Sequence, residues 1–280
     1  MPELPEAEVV ARQLRDRLFG GRLVRVHVRR ADIVRQGLST ARWYEGGTVV
    51  EVHRVGKSVV LTIEQGAERR HLLAELGMTG LLLFRLPAAK YEKHRHLSLD
   101  FEGCGEAALH YWNPRRFGRI YLLDQAELAR FVARRFGADP LAVSWEDFRR
   151  IIESRRGRLK SLLMHQHIVA GIGNIYANEI LFRCKLHPHR TASRLREPAI
   201  RRLFEVTRRV LEEAILAGGS SVRDYLAPDG RQGRFAGQHL VYNKAGASCP
   251  NPGCREVIRR LKGERSSFLC PACQPRPRLA

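Results

Sequence analysis

Four cysteines near the carboxyl end constrain the fold more than any other feature of this sequence. Cys249, Cys254, Cys270 and Cys273 are separated by four, fifteen and two intervening residues. Two close pairs on either side of a short strand–turn–strand stretch are typical of a zinc ribbon, in which four thiolates hold one ion tetrahedrally. Because we find no secretory signal, the clustered cysteine pairs favour a metal site over disulfides. The spacing therefore predicts one structural zinc ion bound by these four side chains, and we expect no organic cofactor.

The 280-residue chain is strongly basic, with 49 Lys and Arg against 29 Asp and Glu and a formal net charge of +20. Such an excess suits a polyanionic partner, because each phosphate that a protein neutralises releases counterions. An anionic membrane is the rival partner, but no apolar run reaches spanning length. Charge alone leaves ribosomal and chromatin proteins open as classes. We expect a cytoplasmic, nucleoid-associated monomer without membrane contact.

The amino terminus offers a candidate nucleophile. The chain begins Met-Pro-Glu-Leu-Pro-Glu, and removal of Met1 would leave Pro2 with a free secondary amine. Such an amine can attack an electrophilic sugar carbon and form a Schiff base, with Glu3 beside it to exchange a proton. Apolar residues recur at helical spacing from Pro5 to Leu18, so a helix would give the amine a rigid base. Taken alone, the hexapeptide is better explained as a frayed terminus.

The first half of the chain alternates like strands, and the second half is helical. Short strand patterns separated by turn residues suggest an antiparallel sandwich or barrel. They are Val24–Val28, Thr48–Val55, Ser58–Ile63, His71–Leu76, Leu81–Phe84, His96–Phe101 and Arg119–Leu123. Residues 131–143 lack this alternation, and helical periodicity begins near Ser144. Residues 218–235 form a long Gly-rich stretch of the kind that often serves as a functional loop. We therefore predict an α+β chain with a β domain at 1–130 that opens with a helix, a linker at 131–143, a helical domain at 144–240 that includes the loop 218–235, and a zinc finger with its tail at 241–280.

Polar features interrupt the β region. Lys57 follows a glycine at a strand boundary, and His94 lies in a basic cluster. Two Gly-flanked loops present large apolar side chains, Met78 in the first loop and Phe117, beside Arg115, in the second. Proteins that kink DNA insert such apolar wedges between base steps. Taken alone, each feature is better explained as an ordinary strand end or core residue.

Together, the motifs resemble the family of formamidopyrimidine-DNA glycosylase and endonuclease VIII. They are MPELPE, the lysine of GK, LGMTG, NPRRFG, AGIGNIYANEILF and the four-cysteine finger, in this order along essentially the whole chain. The resemblance implies an N-terminal β-sandwich, a helix–two-turns–helix domain and a zinc finger, with damaged double-stranded DNA in the cleft between them. It also implies removal of oxidised purines, such as 8-oxoguanine and formamidopyrimidines, through a Schiff base and β,δ-elimination at the abasic site.

The resemblance also implies roles for individual residues. Pro2 matches the Schiff-base nucleophile, Glu3 the acid that protonates the sugar ring, and Lys57 a group that assists β-elimination. Arg265 matches the finger arginine assigned to δ-elimination and phosphate binding. The segment 218–235 resembles the loop that closes over a damaged purine. The DNA-binding residues implied in the same way are His94, Lys160 and Asn174 on the backbone, and Met78, Arg115 and Phe117 in the gap that the flipped base leaves.

The sequence departs from the family pattern at several points. Glu75 stands where the family usually has His, while Asn113 and His165 each replace a usual Asp. The first cysteine pair is two residues wider than usual. None of these departures removes a catalytic group, but they bear on lesion preference and on the placement of the wedge loops. In particular, we expect Asn113 to loosen the loop that aims Arg115.

Other functions stay open. One is an endonuclease VIII-like glycosylase for oxidised pyrimidines, and another is a DNA-damage binder that has lost catalysis. The intact set of Pro2, Glu3 and Lys57 favours an enzyme. A basic zinc-ribbon protein of ribosomes or chromatin would explain the charge but not the amino terminus.

Overall fold

A computed structural model describes residues 2–222, 224–263 and 265–277 of the chain. Arg223, within the predicted loop 218–235, and residues 278–280 of the predicted tail lie outside the described residues. The chain divides into two compact units, Met1–Arg134 with Ala214–Ala236 and Arg135–Glu213 with Gly237–Ala280. In the described ranges, no helix combines the length and the apolar character needed to cross a membrane.

The elements follow the chain in a simple order. The first unit contains α1 (Leu4–Leu18), β1 (Arg22–Val28), β2 (Val34–Gln36), β3 (Thr48–Val55), β4 (Ser58–Gln65), β5 (Glu68–Glu75), β6 (Leu81–Leu83), β7 (Arg95–Glu102), β8 (Ala108–Trp112) and β9 (Arg119–Asp124), and α2 (Gln125–Arg135) ends at its boundary. The second unit contains α3 (Trp145–Glu153), α4 (Leu159–Leu163), α5 (Asn174–Arg183), most of α6 (Glu197–Leu216), β10 (Arg259–Leu261) and β11 (Ser267–Leu269).

Helix α1 confirms the predicted N-terminal helix. Its N-cap is Glu3, whose backbone N–H donates to Glu6 Oε2 at 2.7 Å in a capping box. Pro5 suits the first turn, where its missing N–H would have no partner in the helix. After the helix ends, Gly20 adopts a φ of +77°, a conformation that glycine takes without strain. The apolar face of the helix is buried in the core of the first unit: Ala7, Val10, Ala11, Leu14 and Leu18.

The nine strands described in the first unit form a sandwich, as predicted. Their hydrogen-bonded order is β2-β9-β5-β4-β3-β1-β7-β8-β6. The link between β3 and β1 is the single registered pair Arg22↔Thr48, and side chains from both halves of the sheet share one core with α1. Strands β2 and β8 were not predicted. A three-residue strand such as β2 shows too little alternation to detect, and it is held by parallel pairing to β9.

The observed boundaries differ from the predicted domains in two places. Helix α2 covers the first residues of the predicted linker 131–143, because Phe131 packs on Tyr121 at a ring distance of 4.6 Å. The loop 218–235 groups with the first unit rather than with the helical residues before it. By contrast, α3 begins where expected, and Ser144 Oγ accepts from the Asp147 N–H at 3.1 Å.

Candidate active site

The amino terminus is held by the carboxylate of Glu6. This side chain is 1% exposed, and its Oε2 accepts from the Glu3 N–H at 2.7 Å. Its Oε1 accepts from the Ser220 N–H at 2.6 Å, at the start of the loop 218–235. Hydrogen bonds to a buried carboxylate are among the stronger ones in proteins. One side chain therefore fixes both the segment that carries Pro2 and Glu3, which are themselves buried, and the entry of the loop.

Sequence analysis did not assign Glu6 this role. In the sequence, Glu6 is only one of several carboxylates near the amino terminus of a helix, where such charges are common. The partner that reveals its function lies 214 residues further along the chain.

Lys57 lies at the tip of the β3–β4 hairpin. Val55 pairs with Ser58, so Gly56 and Lys57 form a two-residue turn, and Gly56 has a φ of +58°. Arg54 Nη1 donates to Gly56 O at 3.1 Å, while Arg54 Nε donates to Glu8 Oε2 at 3.0 Å. The turn that carries Lys57 is thereby tied to α1, the helix that begins beside Pro2. Sequence analysis missed Arg54, which looked like one of many basic residues in a strand.

The ion pairs of Glu8 with Arg12 and Arg54 favour the charged form of its carboxylate. Burial acts to raise the pKa of Glu8, but the hydrogen bonds and charges of Arg12 and Arg54 outweigh it and hold the pKa below its usual value. Arg54 is almost fully buried, which reduces solvent screening of the pair.

The two predicted wedge loops present exposed apolar side chains on an ordered base. Met78 is 39% exposed and Phe117 is 54% exposed. The Arg115 guanidinium carbon lies 4.9 Å from the centre of the Phe117 ring. Single large apolar residues at the surface are normal, so their exposure alone does not assign a role. Contact of these residues with DNA stays a prediction.

The Asn113 side chain is hydrogen-bonded to both wedge loops, which does not support the expected loosening. Its side-chain Oδ1 accepts from the Arg116 N–H at 3.1 Å and from Thr79 Oγ1 at 3.2 Å. The bond from Arg116 lies within the second loop, and the bond from Thr79 comes from the first loop. The departure at Glu75 is also accommodated, because its carboxylate accepts from the Tyr121 hydroxyl at 3.3 Å.

His94 lies on an aromatic surface of the first unit. Its ring centre is 6.2 Å from that of Trp112 and 6.4 Å from that of His96. Lys93 and Arg95 flank it in the sequence. His94 and Arg95 are half-buried and Lys93 is exposed, and the contact of His94 with DNA stays a prediction.

In the second unit, Lys160 and Arg265 come together. Lys160 Nζ donates to Ser266 O at 2.8 Å and to Ser267 Oγ at 2.9 Å, directly after Arg265 in the chain. The ammonium group is buried against the finger rather than free in solvent. Both residues line a cavity of about 510 Å³ that is also lined by His165, one of the departures. Lys160 thus supports the segment that carries Arg265, a role that sequence analysis did not assign.

Asn174 is the first residue of α5, after a glycine-rich turn. The Asn178 amide of the next helical turn donates to Asn174 O at 2.6 Å. Asn178 Oδ1 also accepts from the Phe268 N–H of the finger at 2.7 Å. The fully buried carboxylate of Glu179 accepts from three successive backbone N–H groups, at Leu240, Val241 and Tyr242. In the sequence, Asn178 and Glu179 stand out only as an amide and a carboxylate within an apolar stretch.

The four predicted cysteines form one cluster. Their sulfur atoms all lie within 4.8 Å of one another, and none of the four is in a disulfide. Four thiols gathered in this way suit a soft or borderline metal ion such as zinc. The wider first pair does not prevent clustering, because a turn closed by the Cys254 N–H to Asn251 O hydrogen bond absorbs the extra residues.

Asn251 also acts on the cluster itself. Its side-chain N–H donates to Cys273 Sγ at 3.0 Å. Burial acts to raise the pKa of Cys273, but hydrogen bonds from Asn251 and the neighbouring thiols lower it below the usual value. A lowered thiol pKa favours the thiolate, which is the form that binds metal.

Comparisons with known proteins agree along the whole chain. Residues 1–120 match the family model for the formamidopyrimidine-DNA glycosylase N-terminal domain, and residues 136–225 match that for the formamidopyrimidine-DNA glycosylase H2TH domain. A formamidopyrimidine-DNA glycosylase of Solibacter usitatus is 41% identical over 99% of this chain and 100% of its own. One from Thermus thermophilus is 39% identical over 98% of each chain.

Solved structures show the same similarity. The crystal structure of the MutM (Fpg) protein from Thermus thermophilus superimposes with a TM-score of 0.85 at 36% identity, covering 99% of this chain and 100% of that one. The Lactococcus lactis Fpg in complex with DNA containing an abasic site gives a TM-score of 0.85 at 29% identity, covering 98% and 100%.

Proposed function

This chain belongs to the formamidopyrimidine-DNA glycosylase family, and we propose that it excises oxidised purines from double-stranded DNA and then cleaves the abasic strand. The observation that carries the proposal is the amino terminus: Pro2 precedes a buried Glu3 at the capped start of α1. A secondary amine on a rigid base suits iminium formation. Relatives of this name match the whole chain, and one solved relative is bound to abasic DNA.

The proposed chemistry uses residues of the first unit. The Pro2 nitrogen bonds to C1′ of the damaged nucleotide as the bond to the base breaks, and the base leaves with a proton. Glu3 donates a proton to the ring oxygen as the sugar opens, and loss of the N–H proton leaves an iminium. A proton then leaves C2′ and the 3′ phosphate departs, the step that we assign to assistance by Lys57. Loss of the C4′ proton and departure of the 5′ phosphate complete β,δ-elimination, and water then hydrolyses the imine to release Pro2 from the sugar fragment.

The second unit supplies the proposed contacts to the DNA backbone. Arg265 binds a phosphate and assists δ-elimination, supported by Lys160 beneath its segment. Asn174 contacts the backbone from the amino terminus of α5, where helix dipoles favour phosphate. In the first unit, His94 adds a backbone contact. The chain's net charge of +20 supports a duplex as the partner.

We propose that the cysteine cluster holds one structural zinc ion. The ligands would be Cys249, Cys254, Cys270 and Cys273, whose clustered sulfur atoms support a tetrahedral site. When bound, the ion stabilises the finger that carries Arg265 and takes no part in the chemistry.

Borohydride trapping tests the proposed mechanism. The protein should be captured covalently on duplexes that contain 8-oxoguanine or an abasic site, because borohydride reduces the iminium to a stable amine. Mass mapping should place the adduct on Pro2. A variant with one residue added before Pro2 converts the amine to an amide, so it should not be trapped. Pro2→Gly retains an amine of different geometry and basicity, so it should be impaired rather than inactive.

Two outcomes would contradict this function. An adduct on Lys57 would show that another amine is the nucleophile. The absence of any adduct, with retained binding to damaged duplex, would indicate a DNA-damage binder. A panel that includes oxidised pyrimidines distinguishes the purine preference, which the resemblance of loop 218–235 supports, from an endonuclease VIII-like preference.

A further inference from the structure

The two wedge loops of the first unit lie against each other at the level of the backbone. A Cβ atom placed on Gly77, which has a φ of +60°, would lie 2.5 Å from Gly118 N. A Cβ atom on Gly118 would lie 2.2 Å from both Glu75 O and Tyr111 Oη. Real side chains do not tolerate such distances, so the two loops fit together only with glycine at these positions. The segment that carries Met78 is therefore packed directly on the one that carries Phe117.

Asn113 lies at the base of this contact, and its backbone is tied to the neighbouring segment. The side chain is fully buried. Its N–H donates to His94 O at 3.0 Å, and its carbonyl accepts from His96 Nε2 at 2.9 Å. As described above, its Oδ1 accepts from Arg116 in one loop and Thr79 in the other.

The amide nitrogen of Asn113 makes a connection that a carboxylate could not make. Nδ2 donates to the Tyr111 hydroxyl at 2.9 Å, and that hydroxyl donates to Glu75 O at 2.8 Å. The amide supplies the proton for the first bond, so the single hydroxyl proton remains available for Glu75. An ionised Asp accepts hydrogen bonds but donates none, so Tyr111 would have one proton for two acceptors. The bonds Asn113–Tyr111–Glu75 therefore join the base of the second loop to the strand end that leads into the first.

We infer that Asn113 is a positioning residue that couples the two wedge loops and thereby sets how well the enzyme distinguishes the base opposite the lesion. Its side chain joins the loop of Met78 to the loop of Arg115 through three hydrogen bonds. Arg115 can read an orphaned base only if its loop is held at a fixed position relative to the wedge that fills the gap. The inference rests on the proposed function and assigns specificity to a residue that touches no DNA itself.

Three variants separate the contacts. Asn113→Ala removes every side-chain bond, whereas Asn113→Asp keeps the acceptor bonds and loses donation to Tyr111. Thr79→Val removes the direct bond between the loops. Thr40→Val is the matched control, because Thr40 is another half-buried threonine of this unit with one hydroxyl hydrogen bond, to Gly37 O at 2.8 Å.

The readout is the ratio of single-turnover excision rates for 8-oxoguanine opposite cytosine and opposite adenine. Asn113→Ala should lower the ratio by about fivefold or more, since each lost hydrogen bond is worth roughly a factor of five. Asn113→Asp and Thr79→Val should lower it less, and Thr40→Val should leave it unchanged. Borohydride trapping on single-stranded abasic DNA, which has no opposite base, should proceed at the unmodified rate in all four variants.

The outcomes distinguish this inference from the proposed function. If the unmodified protein forms no adduct, the proposed function fails. If it forms the adduct, but Asn113→Ala and Thr79→Val retain the full ratio, Asn113 does not set specificity. Equal losses in excision opposite both bases and in single-strand trapping would show a general structural role and would also overturn the inference. Should Asn113→Ala not fold, Thr79→Val decides by the same ratio.

Discussion

At the scale of single residues, Arg115 combines exposure with a purely donating head group. Its guanidinium lies over the Phe117 ring, and the residue is exposed, so its N–H donors can reach a partner. Cytosine presents two adjacent acceptors, its ring nitrogen and its carbonyl oxygen. Adenine presents one acceptor beside an amino donor, which would oppose an arginine donor. Arg115 therefore suits an orphaned cytosine better than an orphaned adenine.

We predict faster excision of 8-oxoguanine opposite cytosine than opposite adenine. A bidentate contact discriminates by about 1–3 kcal/mol, or about 5- to 150-fold. A mobile Arg115 loop would limit the rate ratio to the lower half of that range. Because the Asn113 side chain is hydrogen-bonded within this loop, we expect a ratio anywhere in the range. Arg115→Ala should collapse the ratio measured in single-turnover assays. Arg42→Ala, which removes an exposed arginine elsewhere in the same unit, should preserve it. Equal rates in the unmodified protein would refute base reading by Arg115.

At the scale of elements, the finger is a small module fastened to helix α5. Its strands β10 and β11 are three residues long, with pairing from Arg259↔Leu269 to Leu261↔Ser267. Asn178 and Glu179 attach the helix to the finger strand and to the segment before the cysteines. Hairpins this short are marginal in water, so we expect the module to gain stability from a metal ion bound at the cysteine cluster.

We predict one zinc ion per chain and loss of DNA binding when it is removed. Cys270→Ser should abolish stoichiometric zinc, measured by metal analysis, and weaken binding to damaged duplex. The sandwich has its own core, so its thermal unfolding transition should persist. Cys104→Ser is the control, since Cys104 is a half-buried thiol outside the cluster. Zinc-free protein as isolated, or normal binding by Cys270→Ser, would contradict the metal assignment.

At the scale of the whole molecule, many histidines are stabilised in the neutral form. The Thr62 hydroxyl and the Gln125 side chain satisfy both ring nitrogens of His71, at 3.0 and 2.8 Å. Burial lowers the pKa of His71 and of several other histidines, since a charged ring would lose its hydration. The histidines whose pKa is lowered mainly by burial are His53, His71, His96, His110, His187, His189 and His239.

We predict that stability falls as the pH drops below about 6.5, the usual histidine pKa in an unfolded chain. Below that pH the unfolded chain binds more protons than the folded one, so the free energy of unfolding decreases. Most carboxylates titrate near pH 4, so a change in stability between pH 7.5 and 5.5 reports mainly on the titration of histidines. Urea midpoints should fall across this window, and His71→Gln should flatten the slope. A midpoint independent of pH would contradict this account.

Local patterns in the sequence determined much of the architecture. The cysteine spacing predicted the cluster, the apolar period predicted α1, and alternation predicted most strands of the sandwich. These features succeed because each depends on residues that are neighbours along the chain or repeat at a fixed period. The family motifs suggested Pro2, Glu3 and Lys57, whose catalytic roles stay predictions.

Only the tertiary structure decided how the candidate site is supported. The partner of Glu6 is 214 residues away, and that of Lys160 is 106 residues away. Asn113 appeared to be a loosening substitution, yet it joins two loops because Thr79 lies within reach of its oxygen. Hydrogen bonds depend on distances and angles that chain folding creates, so spacing along the sequence does not encode them.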